Sequence, residues 1–130
     1  MAGRTGRSLT GERALSRLIA SMAPVLDDRR HAIRAMDVAE SPSADVFALI
    51  REEEGWTIIL PDPLGDWARI SLAVHSDLAA VGLTAAISGA LAAAGIAANV
   101  VAGFHHDHIL VPWARRQEAL DILNSLGDEA

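Results

Sequence analysis

From Glu12 to Met22, apolar side chains recur at Leu15, Leu18, Ile19 and Met22. That is the spacing of one helical face, and it predicts a helix. Pro24 ends or kinks it, because proline lacks an amide hydrogen and clashes with the preceding turn. Three short strand-like runs follow: Ala32–Val38, Val46–Ile50 and Trp56–Leu60. Glu40-Ser41-Pro42-Ser43 separates the first two as a loop, and the polar turn Arg51-Glu52-Glu53-Glu54-Gly55 separates the second two. The acidic triplet reads as a solvated hairpin tip rather than a cation site. Pro61-Asp62-Pro63-Leu64-Gly65 then excludes both helix and central strand, and marks a boundary.

Past that boundary the alternation sharpens. Ala68–His75 reads as a strand with Ile70, Leu72 and Val74 on one face. Ser76 or Asp77 is placed as the N-cap of a helix that runs to about Ala94, its buried stripe being Leu83, Ile87, Leu91 and Ala94. Gly95 follows as a left-handed C-terminal cap. Asn99–Phe104 and His108–Trp113 are strands, and Arg115–Leu126 is a helix whose inward residues are Ala119, Ile122, Leu123 and Leu126. The second half therefore reads β-α-β-β-α, a ferredoxin-like unit without its last strand. Such a unit leaves Ala68–His75 with an unpaired edge, and unpaired edges invite pairing. The simplest expectation is that strands of the N-terminal half complete or flank the sheet. The alternative is an edge shared with a second copy.

The chain has 130 residues, enough for one unit or two small, intimately packed ones. The divisions expected are a mobile tail over 1–10, an N-terminal half over 11–65 and a C-terminal module over 66–130. A hydrophobic content of 51% supplies a core of ordinary size. The net charge of −6 and pI near 5.2 argue against a nucleic-acid partner, which would meet a basic face. The absence of cysteine removes disulfide and thiolate chemistry and suits the cytoplasm. No apolar run approaches the roughly 18 residues of a membrane span, and the basic start lacks the apolar stretch of a signal peptide.

Candidate chemistry gathers in Gly103-Phe104-His105-His106-Asp107-His108, which holds all but two of the histidines. Consecutive residues of a tight turn diverge, so His105, His106 and His108 do not easily share one ion. Strand alternation places His106 and His108 on one face with His75 across from them, and these three are the weak candidates for metal. In the ferredoxin-like topology this turn lies at the same end of the sheet as His75 and Asp77, beside a helix start that favours anions. No nucleophile context, phosphate loop or convincing metal triad is present, so no catalytic residue, metal or cofactor is assigned.

Ser76-Asp77-Leu78-Ala79-Ala80-Val81-Gly82-Leu83-Thr84-Ala85-Ala86-Ile87-Ser88, followed by Leu91-Ala92-Ala93-Ala94-Gly95-Ile96, resembles the signature of the ACT domain family. The likeness runs from about Ala68 to Leu126 and is nearest to small bacterial proteins with two paired ACT-like halves. Phe47–Pro61 resembles, more weakly, the first half of such pairs. Val81 stands where the family usually has proline, and the Asp–Gly interval is longer than usual. The resemblance implies an α+β, ferredoxin-like fold: a β-α-β-β-α C-terminal module packed with an ACT-like N-terminal half, in mainly antiparallel sheets. It implies a cytoplasmic, non-enzymatic regulatory module that binds a small molecule, an amino acid above all, and works as a homo-oligomer or through pairing of ACT units. It also implies a site. Backbone amides of the loop Asp77, Val81, Gly82, Leu83 and Thr84 would meet the ligand carboxylate. Strand residues Asn99, Val100, Val101 and Ala102 would meet its amino group. His106, Asp107 and His108 join them as ligand or interface residues. Against this stand other roles: Asp77 as a helix cap, Gly82 as a packing glycine, Asn99 as an edge hydrogen-bonder, and the whole chain as a structural oligomerisation or partner-binding module or, less readily, a His/Asp metal-binding protein or enzyme.

Overall fold

A computed structural model describes residues 14–37, 39–73 and 82–129. The expected tail over 1–10, the helix start at Glu12, the strand end at Val38, and Val74, His75, Ser76, Asp77 and Val81 lie outside them. Residues 14–20 form helix α1. Strands β1 (Pro24–Leu26), β2 (His31–Met36), β3 (Ala48–Glu52), β4 (Gly55–Pro61) and β5 (Trp67–Leu72) follow. Helix α2 (Leu83–Ala93), strands β6 (Asn99–Ala102) and β7 (Asp107–Pro112), a 3-10 turn (Trp113–Arg115) and helix α3 (Arg116–Glu129) complete the chain.

Three expectations change. Pro24 does end the helical region, but it also opens β1, where a first strand residue can do without its amide hydrogen. The expected N-cap residues Ser76 and Asp77 lie outside the described residues, and the N-cap of α2 is Gly82. Its φ of 101° interrupts any right-handed helix, so α2 starts at Leu83 and carries no side-chain cap. The Gly95 cap is formed: the Gly95 amide donates to the Ala92 carbonyl at 2.9 Å and the Ile96 amide to that of Leu91 at 3.0 Å. This pair of bonds closes the helix end and drops Ile96 into the core. The histidine-rich strand begins one residue earlier than expected, at Asp107.

Among the described residues, seven strands form one antiparallel sheet in the order β3-β4-β2-β5-β7-β6, with β1 also paired to β5. The place of the missing fourth strand is thus filled from the N-terminal half. Pro24, Val25 and Leu26 pair with Leu72, Ser71 and Ile70, and His31 pairs with Trp67, all along the one edge of β5 that β7 leaves open. Between these pairings four residues, 27–30, stand opposite two, 68–69, so the strand bulges outward at Asp27-Asp28-Arg29-Arg30. Within it the Asp27 amide still donates to the Arg69 carbonyl at 2.9 Å and the Arg30 carbonyl accepts from the Asp62 amide at 2.9 Å, while Asp28 and Arg29 are exposed.

One face of the sheet carries the helices. Ala68, Ile70 and Leu72 of β5 and Ile109 and Val111 of β7 pack with Ile19 and Met22 from the α1 region, Leu83, Ile87 and Leu91 of α2, and Ala119 and Leu123 of α3. The N-terminal helix therefore belongs to the core of the C-terminal strands. At the junction of the halves, Gly65 lies so close to β2 that a Cβ there would overlap the carbonyl oxygen of His31. Only glycine permits that approach.

Candidate functional site

On β5, the residues alternating with the core positions are Trp67, Arg69 and Ser71. They point to the sheet's second face, where no helix packs among the described residues, yet Leu110 beside them is fully buried. Phe47 helps to cover this face. It sits at the end of the loop entering β3, its amide donating to the Ile59 carbonyl at 2.7 Å. Its ring lies 4.3 Å from the Arg69 guanidinium and meets the His108 and His31 rings edge-on at 4.8 and 6.3 Å.

Beneath Phe47 runs a continuous polar chain. Arg69 Nη2 donates to Asp27 Oδ2 at 2.8 Å, Nε to His31 Nε2 at 3.3 Å, and Nη1 to Ser71 Oγ at 2.8 Å. The Asp27 carboxylate also takes Arg29 Nε and Nη2, each at 3.0 Å, and the Arg29 amide. Ser71 Oγ then lies 2.7 Å from His108 Nδ1. Because Arg69 can only donate, His31 Nε2 must accept, so His31 is the neutral ring with its proton on Nδ1, aimed at the Arg29 carbonyl 3.1 Å away. Ser71 Oγ likewise accepts from Arg69 Nη1, and it shares a hydrogen bond with His108 Nδ1.

The electrostatics agree with these roles. Burial is the main force lowering the pKa of His31, which is 0% exposed, and the nearby Arg69 charge adds to it. His108 is lowered by burial first, then by Arg69 and His106, against Asp107. The side-chain bond from Arg29, aided by the Arg69 charge, holds the Asp27 carboxyl well below the usual carboxylate range despite partial burial. Each of the three guanidinium nitrogens of Arg69 donates within this chain, and no buried side-chain nitrogen or oxygen among the described residues lacks a partner. The cluster is chemically a closed, pre-ordered network. It holds the Arg69 cation in place.

The sequence-derived site residues are distributed around this frame. His108 enters the network, while His106 stands exposed at the turn, where its carbonyl accepts from the Gly103 amide at 3.0 Å. Asp107 is half-buried and pairs in register with Ala102, as His108 does with Val101. Asn99 is exposed on β6, an edge strand of the described sheet, and Val100 packs against the core. Leu83 is a core residue at 3% exposure, and Thr84 is exposed in the first turn of α2. At Gly82, a Cβ would sit 3.0 Å from Leu15 Cδ2, so the glycine abuts α1. Asp77, Val81 and His75 lie outside the described residues. Among those that are described, no three His, Asp or Glu side chains are grouped to hold a metal ion.

Asp27, His31, Arg69, Ser71 and Phe47 were not singled out by sequence reasoning. One signal was available. Arg69 and Ser71 alternate with Ala68, Ile70 and Leu72 in a strand whose open edge was expected to be covered, where polar side chains must find partners rather than water.

ACT domain family models match residues 10–75 and 65–125, so both matches contain β5. A Vibrio cholerae protein of unknown function, a possible transport protein, is 32% identical over 90% of this chain and 98% of its own, with a TM-score of 0.75. A protein from Agrobacterium tumefaciens is 21% identical over 75% of this chain and 82% of its own, at a TM-score of 0.60. The ligand-free regulatory subunit of aspartate kinase from Thermus thermophilus shares the fold at 12% identity and a TM-score of 0.62, covering 82% of this chain and 97% of its own. No curated protein matches the sequence.

Proposed function

The chain belongs to the ACT domain family, a family of regulatory ligand-binding modules, and on that premise we propose that it is a cytoplasmic amino-acid sensor working through paired ACT units. One observation carries the reading. The two matched ranges overlap on β5, which pairs with β1 and β2 on one side and β7 on the other, and this supports a reading in which two units share one continuous sheet. Ligands of such modules sit where units adjoin, and here the adjoining is built into a single chain.

The ligand's place follows from the resemblance. Its carboxylate meets backbone amides at the start of α2, around Asp77, Val81, Gly82, Leu83 and Thr84. Its ammonium group meets β6 at Asn99, Val100, Val101 and Ala102, with His106, Asp107 and His108 at the adjacent turn. The geometry supports this in two ways: the first-turn amides of α2 have no side-chain cap, and β6 presents an edge. Exposed Leu49 and Ile50 on the opposite edge strand, β3, favour assembly with a second copy.

The test is a thermal-shift screen of the purified protein against the twenty amino acids. A ligand at about a hundred times its dissociation constant adds roughly 2.7 kcal/mol of stability. One selective amino acid should raise the melting temperature, and Asn99→Ala should weaken it. A flat response to all twenty would refute the amino-acid reading. Gly82→Val is a poor probe, because the left-handed backbone and Leu15 would make it a folding variant.

A further inference from the structure

Among the described residues, β2 runs against β4 from His31 to Met36 but meets β5 in a single pair, His31 with Trp67. The strands β3-β4-β2 therefore join β5-β7-β6 at one residue, and that residue is a fully buried histidine. Phe47 crosses the same joint. It leads into β3, yet its ring lies over Arg69 of β5 and against His108 of β7. β1 is a separate tie, paired with β5 at Pro24, Val25 and Leu26 and linked to β2 through the bulge at 27–30.

Only a neutral ring satisfies the bonds at this joint. His31 Nδ1 lies 3.1 Å from the Arg29 carbonyl, to which it donates, and Nε2 accepts from Arg69 Nε at 3.3 Å. A proton on Nε2 sets two N–H donors and two positive charges against each other at that distance, away from water. The charges acting on the ring are Arg69 from β5 and Asp27 and Arg29 from the bulge. β4 places Pro61 opposite it, and beyond Phe47 stands His108. Asp27 is the countercharge in this group, but its carboxylate already takes Arg69 and Arg29. Those partners also hold Asp27 ionised well below the pH at which histidine titrates, so β1 stays tied to Arg69 in mild acid.

We propose that His31 is an acid-operated joint: a proton on Nε2 parts β2 and Phe47 from Arg69 and opens the second face above Leu110, while β1 and the helix-covered core stay closed. The bulge at 27–30 and the turn between β4 and β5 serve as the hinges. Acid thereby uncovers a buried apolar position on the face that carries no helix.

Hydrogen exchange of the full chain at pH 7.5 and pH 5, corrected for the intrinsic pH dependence of exchange, tests it by peptide. Releasing a ring of ordinary pKa 6.5 over that interval raises the open population by up to about thirtyfold. The expected result is a loss of protection of at least fivefold in β2 and around Phe47, with α2 and α3 unchanged. In His31→Gln, whose side-chain oxygen still accepts from Arg69 but takes no proton, the loss should vanish; in His108→Gln it should persist. If His31→Gln does not fold, NMR titration of the wild-type rings decides, because the opening must follow the midpoint of His31 and not that of His108. Equal losses in α2 and α3 would show global unfolding and overturn the joint. So would unchanged protection at pH 5, a response that survives in His31→Gln, or one abolished in His108→Gln.

Discussion

Replacing Arg69 by Met removes the cation at the centre of the second-face network while keeping a long apolar stem in place. Asp27, only 18% exposed, loses its 2.8 Å charge-assisted partner but keeps the bonds from Arg29. Such a bond contributes about 1.5–3 kcal/mol. His31, fully buried, is left with an acceptor nitrogen and no donor, which costs about 1–3 kcal/mol. Ser71 and His108 keep each other. Against these losses, the guanidinium no longer has to be desolvated, which returns part of the energy. The balance is a loss of about 3 kcal/mol, or roughly 10 °C in melting temperature for a chain of this size. Urea denaturation of wild type and variant at pH 7.5, with equal slopes against denaturant, measures it. Arg34→Met is the control: its 3.4 Å pair with Asp62 is 53% exposed on the arginine side and should be worth no more than about 1 kcal/mol. A loss below 1 kcal/mol for Arg69→Met would refute the claim that this network stabilises the sheet.

Stability should also fall on acidification. His31 and His108 have folded-state pKa values below the ordinary 6.5, so the unfolded chain binds protons first. Their contribution is complete above pH 6.5 and is lost as pH drops from there toward their folded values, with a slope of at most about 1.4 kcal/mol per pH unit for each ring. A second decline begins below the ordinary Asp value of 3.8, as the depressed Asp27 becomes the group that the unfolded chain protonates first. Melting temperatures that stay flat from pH 7.5 to 5 would contradict the assignment of neutral, buried rings. Gly65→Ala should lower stability by about 3 kcal/mol or more, because its Cβ meets the His31 backbone, which cannot rotate away; equilibrium unfolding with a loss under 1 kcal/mol would argue against that close approach. Phe47→Ala should cost about 1–2 kcal/mol through its contacts with Arg69 and His108, and the His108 ring resonances should shift with it, an effect that NMR reads directly.

Much of the architecture was legible because local periodicity forced it. The α2 stripe Leu83, Ile87 and Leu91, the alternation Ala68, Ile70 and Leu72, and the glycine cap at Gly95 each follow from backbone geometry acting over a few residues. The start of α2 was misplaced for a local reason too. Ser76 and Asp77 are good caps by chemistry and lie outside the described residues, while the left-handed Gly82 sets the start of α2 at Leu83. β1 escaped notice because three residues are too few to show a period. Its existence comes from what lies opposite, the open edge of β5.

The candidate sites divide along the same line. Sequence drew attention to the histidine-rich turn because those residues are adjacent, and to Asp77, Gly82 and Asn99 through family likeness. The Asp27–Arg69–Ser71–His108 chain joins residues up to 81 positions apart, and no local pattern announces it. Composition and hydrophobic period alone determined an acidic α+β chain with a missing sheet edge. Which strand fills that edge, which histidine becomes buried and neutral, and which arginine is held at the centre of the second-face network were decided only by tertiary structure. These depend on desolvation and hydrogen-bond direction between side chains that meet only after folding.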